Sequence, residues 1–187
     1  MLTVQRMTPD SLDAFRMLDG AILAGEDVML RITRSGFALG YVPLPRAEWR
    51  TFLPDPRLQP EAVVGRSDAS LYAAFEDSVL IGTAAVCATP QLWADVMDIR
   101  VAAQSRRQGV ARMLLDACND WSQRQGMQGL RMIVPDSNPV ACQFCEHCGF
   151  TLQGVDRMAL IHTPDEKVKP LARRACALIF YQQHQKG

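Results

Sequence analysis

The segment from Asp98 through Ile99, Arg100 and Val101 to Gln108, Gly109, Val110 and Ala111 reads as a strand, a polar turn and the first turn of a helix. The leading amides of a helix have no acceptor inside it, and the macrodipole is positive at that end. Gln108, Gly109, Val110 and Ala111 can therefore donate hydrogen bonds to a pyrophosphate. The small residues Gly109 and Ala111 let such a group come close, and Arg106, Arg107 and Arg112 would add charge-assisted contacts. A helix that merely begins after an arginine-rich turn is the alternative reading. Neither the Walker lysine pattern nor the dinucleotide glycine triplet occurs.

Two further groups carry chemistry. Cys142, Cys145 and Cys148 beside His147 spell Cys-x-x-Cys-x-x-Cys, which in a loop would suggest a metal centre. On a helix, residues three apart drift by roughly 60° at each step, and no second set of ligands lies nearby, so no metal site is expected. Asp98 is a candidate base, although a strand carboxylate next to Arg100 can equally serve to balance charge. His147, His162 and His184 form no Cys-His-acid pattern, which argues against nucleophilic hydrolysis.

The elements that must position these groups follow from periodicity. Leu71–Phe75 and Val79–Cys87 read as strands joined by the tight turn Glu76-Asp77-Ser78, and Trp93–Val101 as a third strand. Gly109 opens the clearest helix, with Val110, Met113, Leu114, Ala117, Cys118 and Trp121 on one stripe and Gly126 beyond its end. Leu130–Val134 is a strand, Asn138 caps a helix running to Cys148, and strands are expected at Phe150–Leu152 and Ala175–Tyr181. Before Ser70, Leu2–Met7 reads as a short strand and Ser11–Ala24 as a helix capped by Ser11. The proline-punctuated stretch 36–60 reads as irregular, with a helical piece at Arg46–Phe52. This order predicts an α/β layer, that is an α+β arrangement on a mixed sheet, in a single domain.

Composition narrows the function. The chain has 187 residues, enough for one domain with its own core. Twenty basic residues balance twenty acidic ones, so the clustered basic excess of a nucleic-acid binder is missing and no nucleic-acid partner is expected. The longest apolar run, Val79–Ala88, is too short to cross a bilayer, so no membrane partner is expected either. No secretory signal is read at the start, and six cysteines are then expected to be reduced thiols in the cytoplasm.

Arg106-Arg107-Gln108-Gly109-Val110-Ala111 resembles the Arg/Gln-x-x-Gly-x-Gly/Ala signature of the GNAT superfamily of N-acetyltransferases, which seats the pyrophosphate of acetyl-CoA. Asp98-Ile99-Arg100-Val101 looks like the family strand that pairs with the pantetheine arm. The run from Asn138 to Phe150 looks like the family's Asn-x-x-Ala-x-x-Phe-Tyr-x-x-x-Gly-Phe helix. The similarity covers roughly residues 71–150, within an acetyl-CoA-binding core of about 70–155. Ala141-Cys142, Cys148-Gly149-Phe150, Gly154-Val155-Asp156 and Ala177–Tyr181 further resemble the streptothricin acetyltransferase branch.

The resemblance implies a GNAT-type mixed central sheet with flanking helices. It also implies acetyl-CoA as co-substrate without a metal, and direct acetyl transfer to a primary amine of a small molecule or peptide in a ternary complex. Ile99, Arg100, Val101, Arg106 to Arg112 and Asn138 would bind the cofactor, with the oxyanion donor on the Ile99–Val101 backbone. Two positions depart from the pattern. Cys145 stands where the family's tyrosine acid usually lies, and a thiol of reference pKa near 8.5 could protonate the leaving group. Ile133 stands where several members carry a glutamate base, leaving water, Asp98, Asp95, Glu76 or an already deprotonated substrate. An acyl-CoA-binding sensor with little catalysis is therefore the alternative. By analogy, a homodimer through an exposed sheet edge is a further expectation.

Overall fold

The computed structural model describes residues 1–55, 57–159 and 175–184. In chain order its main elements are β1 (Leu2–Arg6), β2 (Ala21–Thr33), β3 (Gly36–Thr51), α1 (Pro60–Val63), β4 (Ala69–Glu76), β5 (Val79–Ala88), β6 (Ala94–Val101), α2 (Val110–Arg124), β7 (Gly129–Pro135), α3 (Pro139–His147), β8 (Thr151–Asp156) and β9 (Ala177–Gln183). They gather into two compact units. One holds Met1–Gly20, Phe52–Arg131 and residues 183–184, the other Ala21–Thr51 and residues 132–182 as far as described.

In the first unit the strand order is β1-β4-β5-β6, closed by the start of β7. The β4–β5 hairpin turns at Asp77 and Ser78, both at positive φ (46° and 69°), the two-residue geometry whose twist matches its flanking strands. Both strands are buried on both faces. One face carries α2, whose apolar stripe Val110, Leu114, Leu115, Cys118 and Trp121 is buried. The contact is close at Gly82, where an added Cβ would lie 2.9 Å from both Leu114 and Val110. The other face is a cluster of Met7, Leu58, Val63, Leu71, Ala73, Leu80 and Ala85, with Leu12, Phe15, Met17, Leu18 and Met97 packed against it.

The helix expected over Ser11–Ala24 does not form. Thr8, not Ser11, precedes a single 3-10 stretch Pro9–Ala14, Ser11 Oγ accepts from the Thr8 amide at 2.8 Å, and the chain is extended again at Phe15. From Ala21 the burial alternates, with Ile22 and Ala24 in and Leu23 out. That is the period of a strand rather than a helix.

In the second unit, β2 and β3 pair antiparallel as a two-stranded ribbon from Ala21↔Thr51 to Thr33↔Gly36. This replaces the irregular stretch and the Arg46–Phe52 helix expected from the prolines. Pro43 pairs with Glu26 and fits because both strands of a lone ribbon have an open edge, and Pro45 falls in the register shift between Pro43 and Glu48, where β3 has no ladder partner to lose. The rest of the unit contains α3 and the order β7-β9-β8, with β8 and β9 antiparallel from Thr151↔Tyr181 to Asp156↔Ala177. All six cysteines are free thiols.

Candidate functional site

Val101 ends β6, and the Ala102 amide still bonds to the Ile81 carbonyl at 2.8 Å. A 3-10 turn over Ala103–Ser105 follows, and the Arg106 Nε donates back to the Val101 carbonyl at 3.0 Å. Arg107 and Gly109 then take positive φ (62° and 84°), which aims the chain into α2. No side chain caps α2, and no acidic residue lies in its first turn. Among the described residues, no acceptor takes the amide hydrogens of Gln108, Gly109, Val110 or Ala111. A Cβ built on Gly109 would have nothing within 4 Å, so the space on that side of Gly109 is open. The helix start thus carries free amide donors at the positive end of the α2 dipole, the arrangement that suits the seating of an anion.

The arginines divide. Arg107 is exposed at the seat, whereas Arg106 is half-buried against β6. Arg112 pairs with Asp116 at 3.0 Å one turn along α2. Exposed pairs of that kind hold weakly. Gln108 Nε2 donates to the Gln104 carbonyl at 3.0 Å, leaving its backbone to face the seat.

The strand leading to the seat has an open edge. β6 pairs with β5 throughout, from Gly82↔Val101 to Ala88↔Ala94, with Met97 as an extra residue between Asp98↔Ala85 and Val96↔Val86. On the other side it pairs with parallel β7 only at Ala94↔Leu130 and Asp95↔Arg131. That short contact is pinned by the Asp95 carboxylate, 5% exposed, which accepts from the Arg131 guanidinium at 2.5 and 2.8 Å. From Val96 to Val101 the edge pairs with no strand among the described residues. A bulge beside an open edge presents backbone donors and acceptors to a partner, and Ile99, Arg100 and Val101 lie on this stretch.

The side chains of β6 have other partners. Arg100 Nε donates to both Asp98 oxygens at 3.0 and 2.9 Å, and its terminal nitrogens donate to the carbonyls of Leu18 and Phe52. Burial pushes the Asp98 carboxyl above its ordinary value, against the opposing pull of Arg100. Arg100 thus offers the seat only its backbone. Asp95 is tied to Arg131, and Glu76 stands at the end of the β4–β5 hairpin, paired with Leu2.

In the second unit, Asn138 caps α3 as expected, its Oδ1 accepting from the Ala141 amide at 3.0 Å. Cys145 has no exposure, and its sulfur lies 3.7 Å from Met132 Sδ. Burial raises the Cys145 thiol well above its usual range, and the neighbouring Cys142 thiol to about 12. Among the described residues, no group of three His, Cys, Asp or Glu is placed to hold a metal. Sequence reasoning missed Tyr41, whose hydroxyl donates to Glu146 at 2.5 Å. It also missed Arg50, 8% exposed and bonded to Asp27, Glu48 and the Ser137 carbonyl. Both lie on β3, in the stretch read as irregular, where no periodic signal survived the prolines.

His184 is half-buried with Nε2 3.0 Å from Ser122 Oγ, while His162 lies outside the described residues. The Ser122 hydroxyl is fully buried, which removes the pair from nucleophilic chemistry.

Residues 38–150, more than half of the chain, match the acetyltransferase (GNAT) family. The chain belongs to that family. Over 114 residues it is 29% identical to the streptothricin acetyltransferase of Escherichia coli, a match spanning 61% of this chain and 62% of that relative. Among solved structures, a Bacillus anthracis protein assigned as a streptothricin acetyltransferase, in complex with acetyl coenzyme A, superposes with a TM-score of 0.84 at 20% identity, covering 98% of this chain and all of that one. A nourseothricin acetyltransferase superposes with a TM-score of 0.76 at 24% identity, covering 97% and 98%. The expected GNAT architecture, a mixed sheet flanked by helices, is the architecture found.

Proposed function

We propose that this GNAT-family protein is an N-acetyltransferase that moves the acetyl group of acetyl-CoA to a primary amine of a small molecule, of the streptothricin class, by direct attack in a ternary complex. The observation that carries the reading is the set of amides at the start of α2 that no acceptor takes among the described residues, following the bulged stretch of β6 that pairs with β7 only at Ala94 and Asp95. The acetyl coenzyme A bound to the Bacillus anthracis protein and the names of the relatives support it.

When bound, acetyl-CoA supplies a thioester carbonyl that an amine nitrogen attacks, so that a C–N bond forms and the C–S bond breaks. The amides of Gln108 to Ala111 hold the pyrophosphate, with Arg107 and Arg112 adding charge. The open backbone of Ile99 to Val101 aligns the pantetheine arm and offers an amide to the developing oxyanion. Asn138 holds the first turn of α3 in the second unit. Proton removal falls to water or to an amine that arrives neutral, because Asp98 is committed to Arg100. Cys145, buried and hard to ionise, is a poor acid, so solvent rather than this side chain would supply the proton for the leaving thiolate.

An acetylation assay over streptothricins, other amine antibiotics, small amines and peptides, run beside a coenzyme A titration, tests this. Turnover with an amine antibiotic is expected. Binding without turnover across the whole panel would make the protein an acyl-CoA-binding sensor, and absence of binding would sink both readings.

A further inference from the structure

The Arg100 side chain is 9% exposed and its partner Asp98 11%, yet neither faces the seat. Arg100 stands opposite Thr83 and Asp98 opposite Ala85 on β5. Alternation along the strand puts both on the face of Ala85, away from Gly82, which receives α2. There the guanidinium uses all three nitrogens: Nε on both Asp98 oxygens, Nη1 on the Leu18 carbonyl at 3.0 Å, and Nη2 on the Phe52 carbonyl at 3.1 Å. The Phe52 amide in turn donates to the Gly20 carbonyl at 3.3 Å. Gly20 is glycine for a steric reason: a Cβ would sit 2.2 Å from the Phe52 oxygen and 2.5 Å from Arg100 Nη1. Three chain segments distant in sequence therefore interlock on one side chain. Two of them, at Gly20 and Phe52, flank the excursion through residues 21–51.

We propose that Arg100, held by Asp98, is a positioning residue for acetyl transfer. It fixes the bulged β6 edge to the Leu18–Gly20 and Phe52 segments, so that the strand receiving the acyl carrier and the chain beside it keep one spacing. The inference rests on the acetyltransferase reading above. A buried ion pair is seldom more stabilising than apolar side chains of the same volume, and the sheet around it is built of Ala, Leu and Val. What a guanidinium adds is a rigid fork whose donors reach two separate carbonyls at set distances. Lysine, with one nitrogen, keeps the charge beside Asp98 and loses the fork. Reacting groups displaced by about 1 Å can lose on the order of a hundredfold in rate, so a device of this kind acts on turnover.

The test compares Arg100→Lys and Gly20→Ala with the unaltered chain in coenzyme A affinity, by calorimetry, and in kcat and KM for an accepted amine. Arg100→Lys should lower kcat roughly tenfold or more and weaken coenzyme A by a clearly smaller factor, because the pyrophosphate donors on α2 are untouched and only the grip on the pantetheine arm shifts. Gly20→Ala should show the same split with Arg100 intact, and it decides the matter if the lysine variant does not fold. Arg107→Ala should differ, raising KM for acetyl-CoA. Unchanged kcat in both folded variants, or coenzyme A affinity falling in step with kcat, would overturn the positioning role. A wild-type chain that neither binds coenzyme A nor turns over would instead overturn the acetyltransferase reading, before any variant is made.

Discussion

At the scale of single residues, the seat depends most on Gly109. Its φ of +84° opens α2 with no side chain in the way, and a side chain there meets open space but a strained backbone costing roughly 1–3 kcal/mol. Gly109→Ala therefore tests strain alone, and some coenzyme A affinity should survive. Gly109→Asp adds a carboxylate against the pyrophosphate and should abolish binding in a calorimetric titration. Affinity retained by the aspartate variant would mean that the anion does not lie at this helix start. Local residue chemistry of this kind was legible: glycine at a helix entrance and asparagine at a cap act on their immediate neighbours. Cys145 was not legible in the same way. Its position in a motif says nothing about depth, and depth is what raises its thiol.

At the scale of elements, the seat is only as well placed as α2 on the sheet, and Gly82 sets that contact. Gly82→Ala would press a methyl against Val110 and Leu114, with Ala74 3.3 Å away. Overpacking of this sort costs about 1–3 kcal/mol. Because Val110 is the first residue of α2, coenzyme A affinity should fall together with the denaturation midpoint; a stability loss with unchanged affinity would show that the seat adjusts independently of the helix. The β4–β5 hairpin and α2 were readable because each is specified within a dozen residues, by Asp77-Ser78 or by a 3.6-residue stripe. The β2–β3 ribbon was not. Pro43 and Pro45 hid its alternation, and only pairing with a strand about twenty residues away makes it regular. The same distance effect turned the expected helix at Ser11–Ala24 into a 3-10 turn followed by a strand.

At the scale of the whole molecule, binding and protonation both couple to stability. Coenzyme A that binds only the folded chain should stabilise it by about 2.7 kcal/mol at a hundredfold excess over its dissociation constant. For a chain of this size that corresponds to roughly 5–10 °C in melting temperature, and a flat thermal-shift curve would contradict the seat. His184, beside Ser122, is held below its usual value of 6.5 by burial. Above that pH both folded and unfolded chains carry it neutral, and it does not affect the balance. As pH falls below it, the unfolded chain takes up the proton first, so stability declines toward the lower native value. Urea midpoints of wild type and His184→Gln at about pH 7.5 and 5.5 should therefore differ more for wild type, and equal slopes would show that the ring is already solvated.

Taken by itself, the sequence determined what is encoded by neighbours: the glycine-led helix start, the hairpin turn, the cap at Asn138 and the order of elements that marks the GNAT family. Only the tertiary structure decided that β6 pairs with β7 no further than Asp95, which way Arg100 points, how deep Cys145 lies and what the proline-rich stretch becomes. The division has a physical cause. Turns, caps and helical stripes are set by interactions over a few residues, whereas burial, strand pairing and the partners of a long charged side chain depend on segments that meet only when the chain has folded.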